Sequence, residues 1–163
     1  MDRPPLAPFD TVVQEHGAVV LGVCRAVAGP TDAEDAWSDT FLSALRAYPR
    51  LEPGSNVRGW LVTIAHHASI DLVRRRRGLV LSPDDDRLDA GTSAESPTLD
   101  AALHHALARL SDRQRSAVAL RYLGDLDYRS IAELLDCSED AARRSAADGI
   151  ARLRQHLPEG IPT

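Results

Sequence analysis

Along the first part of the chain Val12, Val13, Val19, Val20, Val23 and Val27, with His16 in register, recur at three- and four-residue steps. That spacing predicts an amphipathic helix, and Gly29-Pro30 ends it. Thr31 with Glu34 predicts a capping box opening a second helix, whose Trp37, Phe41, Leu45 and Tyr48 form one inward stripe before Pro49. A third helix is expected from Val57 through the arginine run Arg74 to Arg77, with Gly78 as its left-handed stop. This N-terminal unit reads as a three-helix bundle.

Further on, Ser96-Pro97 reads as an N-cap followed by a proline in the first helical turn, and Leu99, Leu103, Ala106, Leu107 and Leu110 carry the next apolar stripe. Ser111 with Gln114 predicts a capping box for a helix running to about Tyr122, broken by Gly124. A short helix with Ile131, Leu134 and Leu135 inward then meets a turn, Asp136-Cys137-Ser138, and a longer helix that Pro158 ends. Short helix, tight turn, long helix is the helix-turn-helix pattern. On the last helix Ala142, Ala146, Gly149, Ile150, Leu153 and Leu157 face inward, leaving Asp140, Arg143, Arg144, Ala147, Ala151 and Arg154 outward. In a major groove the N-terminal outward residues read bases, here Arg143 and Arg144, with Ala147 against a thymine methyl. Plain helical packing produces the same pattern, so at this level DNA binding and packing both stand.

Charge divides the chain. Residues 1–78 carry nine arginines and nine acids, 79–98 one arginine and five acids, and 99–163 nine arginines and ten acids. The middle segment thus supplies −4 of the net −5, and its prolines, glycine and serines have linker composition. The expectation is an all-α chain of two small helical domains, 1–78 and 99–163, joined by an acidic flexible linker, 79–98. All nineteen cations are arginine, so every basic site has a planar, permanently charged fork. The start, MDRPPLAPFD, is no signal peptide, and no apolar run is long enough to insert in a membrane, which suggests the cytoplasm. Cys24 and Cys137 lack metal-type spacing, and adjacent histidines point about 100° apart on a helix, so neither His66-His67 nor His104-His105 chelates from one face. There is no Gly-rich phosphate loop and no nucleophile elbow. No cofactor, metal or catalytic residue is therefore expected, and an enzyme is poorly supported.

The stretches DAEDAWSDTFLSALRAYPRL, NVRGWLVTIAHHASIDLVRRRRG and LSDRQRSAVALRYLGDLDYRSIAELLDCSEDAARRSAADGIARLR resemble regions 2 and 4 of the extracytoplasmic-function group of bacterial sigma-70 family sigma factors. The resemblance runs in the family's order over nearly the whole chain. It implies a dissociable RNA polymerase subunit that directs core RNA polymerase to promoter DNA, with an anti-sigma factor as a further partner. It also implies an N-terminal domain that binds polymerase and captures the −10 element, and a helix-turn-helix that reads the −35 element.

By the resemblance Asp35, Ser38, Asp39 and Leu42 would bind polymerase. Their chemistry suits that: two carboxylates beside a leucine fit a partner helix bearing arginines. An acidic helix start that complements the helix dipole explains Asp32, Glu34 and Asp35 equally well, but Asp39 less so. The −10 contacts would come from Trp60, His66, His67, Arg74, Arg75 and Arg77, the imidazoles replacing the family's Arg-Asn and offering a flat partner to an unpaired base. The −35 contacts would come from Ser138, Arg143, Arg144 and Ala147, while Ser145 and Asp148 stand where many relatives are basic. Four successive arginines fan around about 300° of helix, so they cannot all face one strand. Asp84 to Asp86 either keep the tether solvated or enter a basic channel of the polymerase. A stand-alone helix-turn-helix regulator, working without polymerase, is the alternative.

Overall fold

The computed structural model describes residues 4–80 and 99–157. Those residues form seven α-helices and no strand: α1 Phe9–Ala28, α2 Ala33–Ala47, α3 Val57–Val80, α4 Leu99–Ala108, α5 Asp112–Val118, α6 Tyr128–Leu135 and α7 Glu139–His156. A 3₁₀ turn, Tyr48–Arg50, follows α2, and α5 runs on as a π-helical turn, Ala119–Leu123. Of the expected linker, Leu79 and Val80 belong to α3, while the rest, with the Ser96-Pro97 cap and the Pro158 stop, lies outside the described residues.

In the N-terminal half α1 and α2 pack on α3. The valine stripe of α1 buries Val12, Val20, Val23 and Val27 against Phe41 and Ala44 of α2 and Leu61, Val62 and Ala65 of α3. Each such side chain removed from water contributes about 1.5–3 kcal/mol, which is why these positions set the bundle. Polar ends of the aromatics are satisfied: the Trp37 indole donates to the Gly17 carbonyl (3.0 Å) and the Tyr48 hydroxyl to the Ala7 carbonyl. Gly29, at φ 90°, ends α1 in the left-handed region, as its position after the valine stripe predicts.

Three expectations fail here. The Thr31 capping box does not form; α2 begins at Ala33 with Asp32 at its N-cap, and the Asp32 carboxylate is turned to Arg76 at 2.6 Å instead. Leu45 does not join the inward stripe: Trp37, Phe41 and Tyr48 turn in with Ala44, while Leu45 is 51% exposed. Gly78 does not stop α3, which continues to Val80. Arg75, Arg76 and Arg77 in its last turns each meet an acid distant in sequence, Asp39, Asp32 and Asp112.

The C-terminal half follows its pattern except at Leu103, expected in the α4 apolar stripe but 37% exposed. Ser111 and Gln114 form both bonds of the capping box, and Asp127 and Ser138 cap α6 and α7 through the Ser130 and Ala141 amides. Asp136 takes the left-handed conformation (φ 52°, ψ 55°) that the turn needs. α7 lies close on α5 because Gly149 has no side chain: a Cβ there would fall 2.6 Å from Val118 Cγ2.

The two halves share a seam that the sequence reading, with its separate domains on a tether, did not anticipate. α1 touches α5 and the π-helical turn, and the buried apolar residues of both halves form one cluster. At Gly124 a Cβ would sit 2.6 Å from Val62 Cγ1 of α3 and 2.9 Å from the Leu120 carbonyl oxygen. Arg58 donates to the Leu123 carbonyl (3.3 Å), and the His66 ring bonds Ser116.

Candidate nucleic-acid and partner interface

The outward face of α2 presents Asp35, Ser38 and Leu42 to solvent, Leu42 being 53% exposed and Leu45 beside it 51%. Two exposed leucines next to carboxylates give this face an apolar centre with a charged edge. Asp39 leans off it toward α3, where the Arg75 guanidinium stands 4.0 Å away. Between the helices runs a groove of about 390 Å³ lined by Asp39, Leu42, Arg46, His67, Asp71 and Arg75 among others. The structure thus joins in one groove residues that the sequence assigned to two separate tasks.

The α3 candidates separate by exposure. Trp60 is half-buried with its ring 6.3 Å from that of Tyr48, so it is a core residue with one edge accessible. His67, Arg74 and Arg75 are exposed. His66 is buried, 5% exposed, with Nε2 3.0 Å from Ser116 Oγ, and its Nδ1 meets no partner among the described residues. Burial lowers its pKa to about 4, with the positive fields of His67 and Arg74 adding to the effect. It is a buried contact between the halves, so in this arrangement its ring is covered, unlike the exposed His67 beside it. Arg77 is likewise engaged: its two terminal nitrogens donate to the two Asp112 oxygens at 2.8 and 2.9 Å.

On the helix-turn-helix, Ser138, Arg143, Arg144 and Ala147 are all exposed along the start of α7. Ser138 caps the helix, its hydroxyl accepting from the Ala141 amide. Arg143 lies over the Tyr128 ring, 4.9 Å from its centroid, and Arg121 lies over the same ring at 5.0 Å. Tyr128, Arg121, Asp112 and Ser116 are the functional candidates that sequence reading missed. Only Asp112 carried a signal, as the acid in the first turn of a capped helix; the others act through contacts between elements distant along the chain.

Comparison with known proteins adds the following. Residues 12–78 match the family described as Sigma-70 region 2, and residues 100–153 the family described as Sigma-70, region 4. The chain is 33% identical to the RNA polymerase sigma factor CarQ of Myxococcus xanthus, over 93% of this chain and 90% of CarQ. It is 30% identical to the ECF RNA polymerase sigma factor SigE of Mycolicibacterium smegmatis, over 96% of this chain and 64% of SigE. Among solved structures the fold is similar to the sigma factor RpoE in complex with the anti-sigma factor NepR from Bartonella quintana, with TM-score 0.75 and 22% identity over 90% of this chain and 94% of that one. It is also similar to CnrH in complex with the cytosolic domain of CnrY, with TM-score 0.64 and 24% identity over 90% of this chain and 85% of that one. Among the described residues no helix is long and apolar enough to cross a membrane.

Proposed function

We propose a function from one premise: the chain belongs to the sigma-70 family of RNA polymerase sigma factors, in its extracytoplasmic-function group. On that premise it binds core RNA polymerase, carries it to specific promoters and starts transcription there, as a subunit and not as a catalyst. The domains of this activity are 1–78 for polymerase and the −10 element, 79–98 as linker, and 99–163 for the −35 element. An anti-sigma factor is a further partner, in line with the complexes of RpoE with NepR and of CnrH with CnrY.

The observation that carries this reading is the pairing, in one chain, of an exposed leucine beside carboxylates on α2 with an exposed arginine pair at the start of α7. Asp35, Ser38, Asp39 and Leu42 receive a basic coiled surface of polymerase, apolar at its centre and charged at its rim. Arg143, Arg144 and Ala147 enter the −35 major groove. His67, Arg74 and Arg75 meet the −10 strand, His67 by stacking and the arginines through phosphates. Arg77 and His66 join them only when α5 leaves α3, because Asp112 and Ser116 occupy both. Core polymerase with this chain is expected to transcribe from a cognate promoter found by genomic run-off, and core alone is not. A chain that binds DNA tightly and stimulates no initiation would be a stand-alone regulator instead.

A further inference from the structure

Tyr128, the first residue of α6, holds a cation over its ring from each of two distant positions, Arg121 at 5.0 Å and Arg143 at 4.9 Å. The ring is a fixed platform. It is half-buried against the core, and the turn before it is locked by Asp127 Oδ1 accepting the Ser130 amide at 2.8 Å. Arg121 is anchored too: it belongs to the π-helical turn and donates to the Leu126 carbonyl at 3.0 Å. Among the described residues Arg143 has no hydrogen bond at its far end, only a loose ion pair from one terminal nitrogen. Its nearest acid, Asp140, is 3.6 Å away, beyond a good hydrogen bond.

Stacking engages the face of a guanidinium and leaves its in-plane N–H donors unspent. A bidentate contact to guanine O6 and N7 needs those donors with the plane already oriented. Arg144, about 100° further around the helix, is exposed and has no ring over it among the described residues. The two outward arginines of α7 are therefore unequal.

We propose that Tyr128 is a positioning residue for Arg143, holding its guanidinium plane so that Arg143 makes the bidentate contact to a guanine edge while Arg144 serves a phosphate. The assignment rests on the reading that α7 enters a major groove. A residue on the neighbouring helix thereby sets which base pair the chain discriminates.

The test is selection from a randomised duplex DNA library by the full chain at low salt, followed by affinity and salt dependence on the selected sequence. Wild type is expected to prefer guanine at one position that Arg143→Ala erases. Tyr128→Leu should weaken discrimination at that same position about two- to five-fold, leaving other positions and the salt slope unchanged. Tyr128→Phe, which keeps the ring, should retain it. Arg144→Ala should lower the salt slope by about one without altering the guanine preference. Tyr128→Met, apolar and flexible without a ring, is the parallel variant in case leucine does not fold, and thermal melting verifies both. Unchanged discrimination in folded Tyr128→Leu or Tyr128→Met, or an even loss at every position, overturns the assignment. If wild type selects no sequence at all, the groove-binding reading fails first and the role of Tyr128 falls with it.

Discussion

Asp112 at the start of α5 grips Arg77 near the end of α3 with both carboxylate oxygens, at 2.8 and 2.9 Å, and so ties the C-terminal half of the chain to the N-terminal half. The hydrogen bonds from Arg77 hold the Asp112 carboxyl below the usual carboxylate range, with Arg115 adding to the effect. Both side chains are more than half exposed, so the pair contributes at most about 1 kcal/mol. It sets how the halves register, while the apolar seam around Val62 and Gly124 holds them together.

Asp112→Ala should therefore loosen the seam modestly, populating more open chains at low salt, read by energy transfer between dyes on α2 and α7. Arg77→Asp should do the same, and Arg77→Asp with Asp112→Arg together should restore closure. Identical transfer in all four proteins at low salt would show the pair to be idle.

His66 gives the seam a pH dependence. The unfolded imidazole takes a proton near its ordinary value of 6.5, the folded one only near 4. Between those values the unfolded state holds the extra proton, so stability is complete above about pH 6.5 and falls as pH drops toward 4, by up to about 3 kcal/mol. The protonated ring would carry two N–H donors against the single partner Ser116. Urea unfolding at pH 7.5 and pH 5 should display this loss, and His66→Gln should flatten it. An equal pH dependence in His66→Gln would place the cause elsewhere.

Gly124 is the tightest point of the seam. An alanine there meets Val62 Cγ1, a side chain, and the Leu120 carbonyl, which is backbone and cannot step aside. Gly124→Ala should cost about 1–3 kcal/mol, seen as a lower melting temperature. Reducing Val62 to alanine in the same protein should recover only part of it, because the carbonyl remains.

Asp39→Arg should abolish capture of core polymerase in a pull-down while leaving far-UV circular dichroism and melting nearly unchanged. The exposed Arg75 pair it removes is worth at most about 1 kcal/mol. Leu42→Ala should weaken capture at least about tenfold. Full capture by folded Asp39→Arg would remove α2 from the polymerase surface.

Legibility differed by region. The valines of α1, the Ser111 box and the Asp136 turn were readable because each is decided within one helical turn of chain. Leu45 and Gly78 misled for the opposite reason. Leu45 has core chemistry, but its exposure depends on where α3 crosses α2. Gly78 has stop chemistry, but α3 runs on through it to Val80, with Arg76 and Arg77 just before it paired to Asp32 and Asp112. Of the candidate site, Leu42, Asp35, Ser38 and the α7 arginines could be placed on an outward face from periodicity alone.

What the sequence determined by itself was the all-α pattern, the order of its helices and which stretches match the two sigma regions, since periodicity, caps and motif spacing are local properties. What only the tertiary structure decided was how the charges are shared. Arg74 to Arg77 read as a cluster awaiting phosphate, and in the fold three of the four hold acids on other elements. His66 read as a flat surface for a base and is a buried contact between halves. Those outcomes depend on partners 35 to 50 residues away in the chain, and no periodicity encodes a distance of that kind.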